Sequence, residues 1–137
     1  MYDWDEYLKV AESLLEDHDL GVSEETYARI AISRAYYAVF HKALFLCQNR
    51  KELKPTYGQG KGSHDEIYNK LSSIDRGSRE FKSSCHSIAN TFKLLKLDRQ
   101  KADYRADKGI SIKEARLHCS KSKYLINEIK ELCGGND

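Results

Sequence analysis

The 137 residues carry a formal net charge of +2, and 40% of them are hydrophobic. This length is enough for one soluble globular domain, residues 1–137, whose core needs neither disulfides nor a metal. We find no signal peptide and no apolar run near the roughly 18 residues of a membrane span. Four cysteines without CxxC spacing favour reduced thiols. We therefore expect a cytoplasmic protein without a membrane segment, metal or cofactor.

Charge is divided unevenly along the chain. Residues 1–25 contain nine acidic residues and one basic residue, so the remaining residues carry a balance of +10. A basic body suits a polyanion, RNA above all. The acidic first segment could equally pack against basic neighbours and be neutralised by them, and both interpretations stay open.

Apolar residues recur every three to four positions, which is the helical period. The pattern predicts helices over about residues 4–17, 24–48, 64–71, 79–101 and 112–132. Residues 49–62 form the one substantial predicted loop, and residues 103–109 are polar and break the fourth helix. Five helices joined mostly by short turns predict an all-α fold, an up-and-down bundle of four to five helices.

Serine and glycine mark several helix ends. Ser23 is a predicted N-cap, and Ser63 and Ser111 each have a glutamate three residues later, which is the capping-box spacing. Gly21 is predicted to close the first helix, and Gly134 the last.

Residues 29–41 lie at the centre of the second helix and contain no Gly or Pro. A helix that is apolar nearly all round belongs in a core. Beyond Arg29, the groups able to carry charge there are Arg34 and His41, seven residues apart. They lie on nearly one stripe, about 10 Å apart along the axis. Charged groups in a core helix need partners or a function.

An arginine and a histidine beside one phosphate are the minimum for metal-free RNA cleavage. Histidine can take the proton of the 2′-hydroxyl, and arginine can neutralise charge on the phosphorane. One histidine performs half of this chemistry, and a homodimer would supply the second. The spacing itself is weak evidence, since about one Arg-x(4–6)-His pattern is expected by chance. In the alternative interpretation, Arg34 is buried on a carboxylate and His41 hydrogen-bonds to a neighbour.

A second group of polar residues lies at the end of the fourth helix. Arg99 and Asp103 are four apart and can pair on one helix face. Asp103 is also a candidate partner for Arg34, which would join the second and fourth helices. Lys101 and Arg105 belong to a basic stretch. Tyr104 could stack on a base or lie in the core.

The segment from Ser33 to His41, which reads Ser-Arg-Ala-Tyr-Tyr-Ala-Val-Phe-His, followed by Arg99-x-x-Ala-Asp-Tyr104, resembles the HEPN superfamily. The nearest likeness is to its small stand-alone branch. This resemblance implies a helical bundle, usually dimeric, and often a metal-independent endoribonuclease that acts as a toxin. Such proteins are often encoded beside a small nucleotidyltransferase that serves as antitoxin. The family's Arg-x(4–6)-His signature would begin at Arg99, and Tyr104 occupies the position of its histidine.

Three functions remain as hypotheses. The first is a toxin-like ribonuclease whose catalytic residues surround a shared dimer cleft: His41, Arg34 and Arg99. In it, the expected binding residues are Asp103, Tyr104, Tyr37, Lys101 and Arg105. The second is a non-catalytic HEPN module that binds a nucleotide, RNA or a partner protein. The third is a structural dimerisation subunit in which Arg34 and Asp103 form only a buried salt bridge.

Overall fold

The computed structural model describes residues 1–53 and 63–134. These ranges contain no strand, and their five helices are α1 (Asp5–Glu16), α2 (Glu24–Asn49), α3 (His64–Ser72), α4 (Arg79–Tyr104) and α5 (Ile112–Leu132). The predicted all-α class is therefore confirmed. The largest difference is at the end of α4, which continues past residue 101, so that Asp103 and Tyr104 lie on the helix. Most of the predicted loop, residues 54–62, lies outside the described residues.

Serine side chains cap four of the five helices. Ser23, Ser63 and Ser111 accept a hydrogen bond from the backbone N–H three residues on, as predicted. Ser78 caps α4 in the same way, through Phe81. This cap was not predicted, and Phe81 stands where a capping box would have Glu or Gln. Trp4 occupies the N-cap position of α1, and its side chain makes no capping hydrogen bond. Gly21 has a positive φ of 73°, but it does not close α1, which already ends at Glu16.

Helix α2 is the centre of the bundle and contacts all four other helices. Small side chains allow this close approach, because five alanines of α2 are fully buried: Ala28, Ala31, Ala35, Ala38 and Ala43. Larger residues, including Tyr36 and Leu46, fill the spaces between the helices. The predicted core helix is confirmed, although Ile30 and Arg34 are exposed.

Helix α4 packs through an apolar stripe whose members recur at steps of three and four residues. Its six members are all buried: Phe81, Cys85, Ile88, Ala89, Phe92 and Leu95. Within the described residues none of the four cysteines forms a disulfide, and three of them are buried. Across the described ranges, none of the helices has the length and apolar character needed to cross a bilayer.

The acidic first helix pairs with bases on its neighbours. Asp5 lies between Lys42 of α2 and Lys130 of α5, and Glu12 faces Lys123 of α5 at 3.9 Å. These contacts support the interpretation that part of the acidity of residues 1–25 is neutralised within the fold. Lys42, Lys123 and Lys130 therefore contribute less to the basic excess of the remaining residues.

Adjacent leucines on α4 provide a matched test of the packing. Leu95 is fully buried, whereas Leu94 is 57% exposed. We expect Leu95→Ala to lower the free energy of unfolding by about 2–5 kcal/mol, because it leaves a cavity in the core. Leu94→Ala should change it by less than about 0.5 kcal/mol. Urea denaturation measures both, and similar losses in the two variants would contradict this packing.

Candidate functional site

A polar cleft of about 480 Å³ opens between α1, α2 and α4. We use the name polar cleft for the space bounded by nine residues: Trp4, Tyr7, Ser33, Arg34, Tyr37, His41, Arg99, Asp103 and Tyr104. Six of the eight site residues predicted from the sequence are among them. The fold therefore brings together two motifs that lie more than fifty residues apart in the chain.

Helical spacing explains the contribution of α2 to the polar cleft. Ser33, Tyr37 and His41 are four residues apart, so they follow one face of the helix. Arg34 stands beside that face and reaches the cleft from its edge. On the opposite side of the cleft, α4 contributes Arg99, Asp103 and Tyr104.

Arg99 is held in place by its surroundings. Its Nε lies 3.0 Å from Asp103 Oδ2, without the alignment of a hydrogen bond, and its Nη2 donates to Tyr37 Oη at 3.3 Å. Its Cζ also lies 5.4 Å from the centre of the Tyr104 ring. Burial opposes the charge, but the hydrogen bond with Tyr37 and the charges of nearby tyrosines and Asp103 outweigh it and raise the pKa of Arg99. Arg99 is therefore a fixed, permanently charged group.

The expected salt bridge between Arg34 and Asp103 is wrong. Asp103 Oδ2 instead pairs with Arg99 and accepts a hydrogen bond from Ser33 Oγ at 3.3 Å. Successive helical residues point about 100° apart, so Ser33 faces α4 and Arg34 turns away from it. Arg34 is exposed, with its Cζ 5.9 Å from the centre of the Tyr7 ring. The hypothesis of a purely structural subunit loses the salt bridge on which it depended.

Arg29, which the sequence interpretation did not select, joins α2 to the end of α4. Its Nη1 donates to the carbonyl oxygens of Lys101 and Ala102, at 3.2 and 2.9 Å, and its Nη2 donates to those of Arg105 and Lys108. The last carbonyls of a helix lack partners within it and attract positive charge. Arg29 therefore fixes the part of α4 that carries the α4 residues of the cleft.

His41 stacks on Trp4, with ring centres 3.4 Å apart and planes 7° apart. No hydrogen bond of His41 is found within the described part of the chain, so the alternative of a hydrogen-bonded histidine is not borne out there. Burial lowers the pKa of His41 from its ordinary value of 6.5. The imidazole is consequently neutral at pH 7. Trp4 and Tyr7 recur at helical spacing with Leu8 and Ala11, a pattern that indicates core packing, and only the packing of α1 against α2 brings them to the cleft.

The remaining predicted binding residues lie outside the polar cleft. Lys101 pairs with Glu114 at 3.2 Å, and Arg105 pairs with Asp107 at 3.0 Å. Neither residue borders the cleft. Tyr104 is 70% exposed, so the alternative that it lies in the core is wrong, and its ring is accessible at the cleft.

Groups of three or more His, Cys, Asp or Glu able to hold a metal ion are absent from residues 1–53 and 63–134. In comparisons with known proteins, neither a family model nor a curated protein matches the chain. Interpretation of the cleft therefore depends on its own residues.

Truncation of Arg29 and of Arg34 to alanine should change the stability of the fold by different amounts. We expect Arg29→Ala to lower the free energy of unfolding by about 2–3 kcal/mol, because carbonyls at the end of α4 lose their charged donor. Arg34→Ala should cost less than about 0.5 kcal/mol, since Arg34 is exposed. Thermal and urea unfolding measure the difference. A larger cost for Arg34 than for Arg29 would contradict the contacts described.

Proposed function

We propose that the polar cleft binds single-stranded RNA and cleaves it without a metal, as a toxin-like endoribonuclease. The observation that carries this proposal is the meeting of two guanidinium groups, a neutral imidazole and an accessible aromatic ring in one cleft. The resemblance to HEPN proteins, made from the same residues, agrees with it.

Arg34 is exposed, whereas Arg99 is held by Asp103 and Tyr37, and the two together suit the binding of a phosphodiester. Within the described residues, Arg34 has no ion-pair or hydrogen-bond partner, so its donors are available to a phosphate. Arg99 uses Nε and Nη2 inside the protein, and Nη1 remains for a ligand. The Tyr104 ring can stack on an unpaired base, as aromatic residues of RNA-binding proteins do. Arg99 thus positions one phosphate oxygen, and Arg34 adds charge that can move with the strand.

His41 is the candidate general base. As a neutral imidazole it accepts the proton of the 2′-hydroxyl while that oxygen bonds to the adjacent phosphorus. The bond to the 5′-oxygen then breaks, leaving a 2′,3′-cyclic phosphate, and the leaving oxygen takes a proton. Arg34 and Arg99 would stabilise the charge on the phosphorane. The reaction needs the 2′-hydroxyl, so DNA cannot be its substrate.

The proton for the leaving oxygen has no obvious donor in one chain. His41 is the single histidine that borders the polar cleft. In a homodimer with facing clefts, a second His41 would provide the acid. A toxin of this kind requires an antitoxin, and a small nucleotidyltransferase is the partner that the HEPN resemblance favours.

A second candidate is RNA binding without cleavage. It is favoured by Tyr104, which occupies the position of the histidine in the HEPN pattern, and by Trp4, which covers one face of His41. Both candidates use the same arginines. They differ in whether bound RNA is cut.

Cleavage in EDTA distinguishes the two. We expect purified protein to cut an unstructured RNA pool and leave DNA of the same sequence intact, while His41→Ala lowers the rate at least about 100-fold. His86→Ala is the matched control, because His86 is exposed on α4 and outside the cleft. Intact RNA that is nevertheless retained, with affinity reduced about tenfold by Arg34→Gln, would establish binding without cleavage. If RNA is neither cut nor bound, both candidates fail.

The pH dependence tests the role of His41. Its pKa is lowered by burial, so the neutral base is present above pH 6.5 and is lost as the pH falls through the lowered value. We expect the cleavage rate to pass through a maximum near this lowered pKa and to fall on both sides, by up to about tenfold per pH unit, because one His41 must be neutral and the second protonated. Initial rates between about pH 4 and pH 8 measure this profile. A rate that keeps rising from about pH 8 down to about pH 4 would exclude His41 as the base.

A further inference from the structure

A second cavity, of about 360 Å³, is also bordered by the Trp4–His41 stack. We call it the apolar pocket. Aromatic and aliphatic side chains form most of its wall, from the residues Tyr2, Trp4, Leu44, Phe45 and Ile129. Its volume is at the small end of the range of ligand-binding pockets, about 300–1,000 Å³. A compact apolar group therefore fits it.

Two lysines border the apolar pocket, and no acidic residue of the described chain does. The carboxylate that pairs with both lysines, that of Asp5, lies outside the pocket. One carboxylate between two ammonium groups leaves an excess of one positive charge. The pocket thus combines an apolar wall with a cationic edge.

Lys42 is the less firmly held of the two lysines. Its Nζ lies 3.3 Å from Asp5 Oδ1, yet that oxygen is buried without a hydrogen bond. Lys130 donates one hydrogen bond to Asp5 Oδ2. Donors of both ammonium groups therefore remain for an anion. Hydrogen bonds between an ammonium and a carboxylate are among the stronger ones in proteins.

We propose that the apolar pocket binds a free monocarboxylate with a compact apolar body, such as a medium-chain fatty acid. The carboxylate would accept hydrogen bonds from Lys42 and Lys130, and the apolar body would lie between Phe45 and Trp4. This proposal does not depend on RNA binding in the polar cleft.

The wall of the apolar pocket argues against a nucleotide. Apart from the lysines, its main polar side chains are those of Tyr2, His41 and Gln48, and the ring of His41 is stacked on Trp4. A buried nucleobase would leave most of its polar edge unpaired, which costs binding free energy. A fatty acid has no polar group beyond the carboxylate and avoids this cost.

Trp4 is the single tryptophan of the chain, so its fluorescence reports directly on the pocket. We expect octanoate to change Trp4 emission with saturation, and to bind about tenfold more tightly than octanol. Octylammonium, with the same apolar body and the opposite charge, should bind more weakly than octanol. Equal affinity for all three compounds would show that apolar contact alone acts here and would overturn the proposal. So would tighter binding of AMP than of octanoate.

Substitutions of Asp5, Lys42 and Lys130 test whether these charged groups bind the carboxylate of the ligand. Lys42→Gln should remove the preference for octanoate over octanol, and Lys130→Gln serves the same purpose if the first variant does not fold. Asp5→Asn should tighten octanoate binding several-fold, because it removes the competing carboxylate. Lys123→Gln is the control, since this lysine of α5 does not border the pocket. Unchanged octanoate preference in both pocket lysine variants, or weaker binding in Asp5→Asn, would refute the assignment.

Discussion

The hydrogen bonds from Arg29 to the carbonyls at the end of α4 determine where the polar cleft can form. They lie on the final turn of α4 and the segment that follows it, beside Arg99, Asp103 and Tyr104. A helix end usually frays, because its last carbonyls have no partners within the helix. A charged donor from the central helix holds this end in place. The site is consequently built on two helices that are joined at this end, and Arg99 keeps a defined place on one of them.

The polar cleft contains one arginine that is fixed and one that is free. Asp103 and Tyr37 hold Arg99, so its guanidinium loses little conformational entropy when a ligand binds. Arg34 is exposed, so binding must order its side chain. The first arrangement favours a defined position for one phosphate, and the second tolerates different strand conformations. Together they suit a ligand with a regular backbone and a variable sequence.

Periodicity and serine caps predicted the five helices because both are local properties. The meeting of the motifs around Arg34 and Arg99 was expected from the supposed Arg34–Asp103 pair and from the HEPN resemblance. The error lay in choosing the arginine that joins the helices. Arg29 and Arg34 are five residues apart, and helix rotation alone does not tell which of them faces α4. Trp4 was missed as a site residue because an aromatic residue in an apolar stripe predicts core packing.

The stack of Trp4 on His41 forms a wall shared by the polar cleft and the apolar pocket. A ligand that shifts this wall from one side also changes the geometry on the other. Thermodynamic linkage then requires the effect to be reciprocal: whatever factor a carboxylate applies to RNA affinity, RNA applies to carboxylate affinity. The polar cleft and the apolar pocket are in this way joined by one pair of rings.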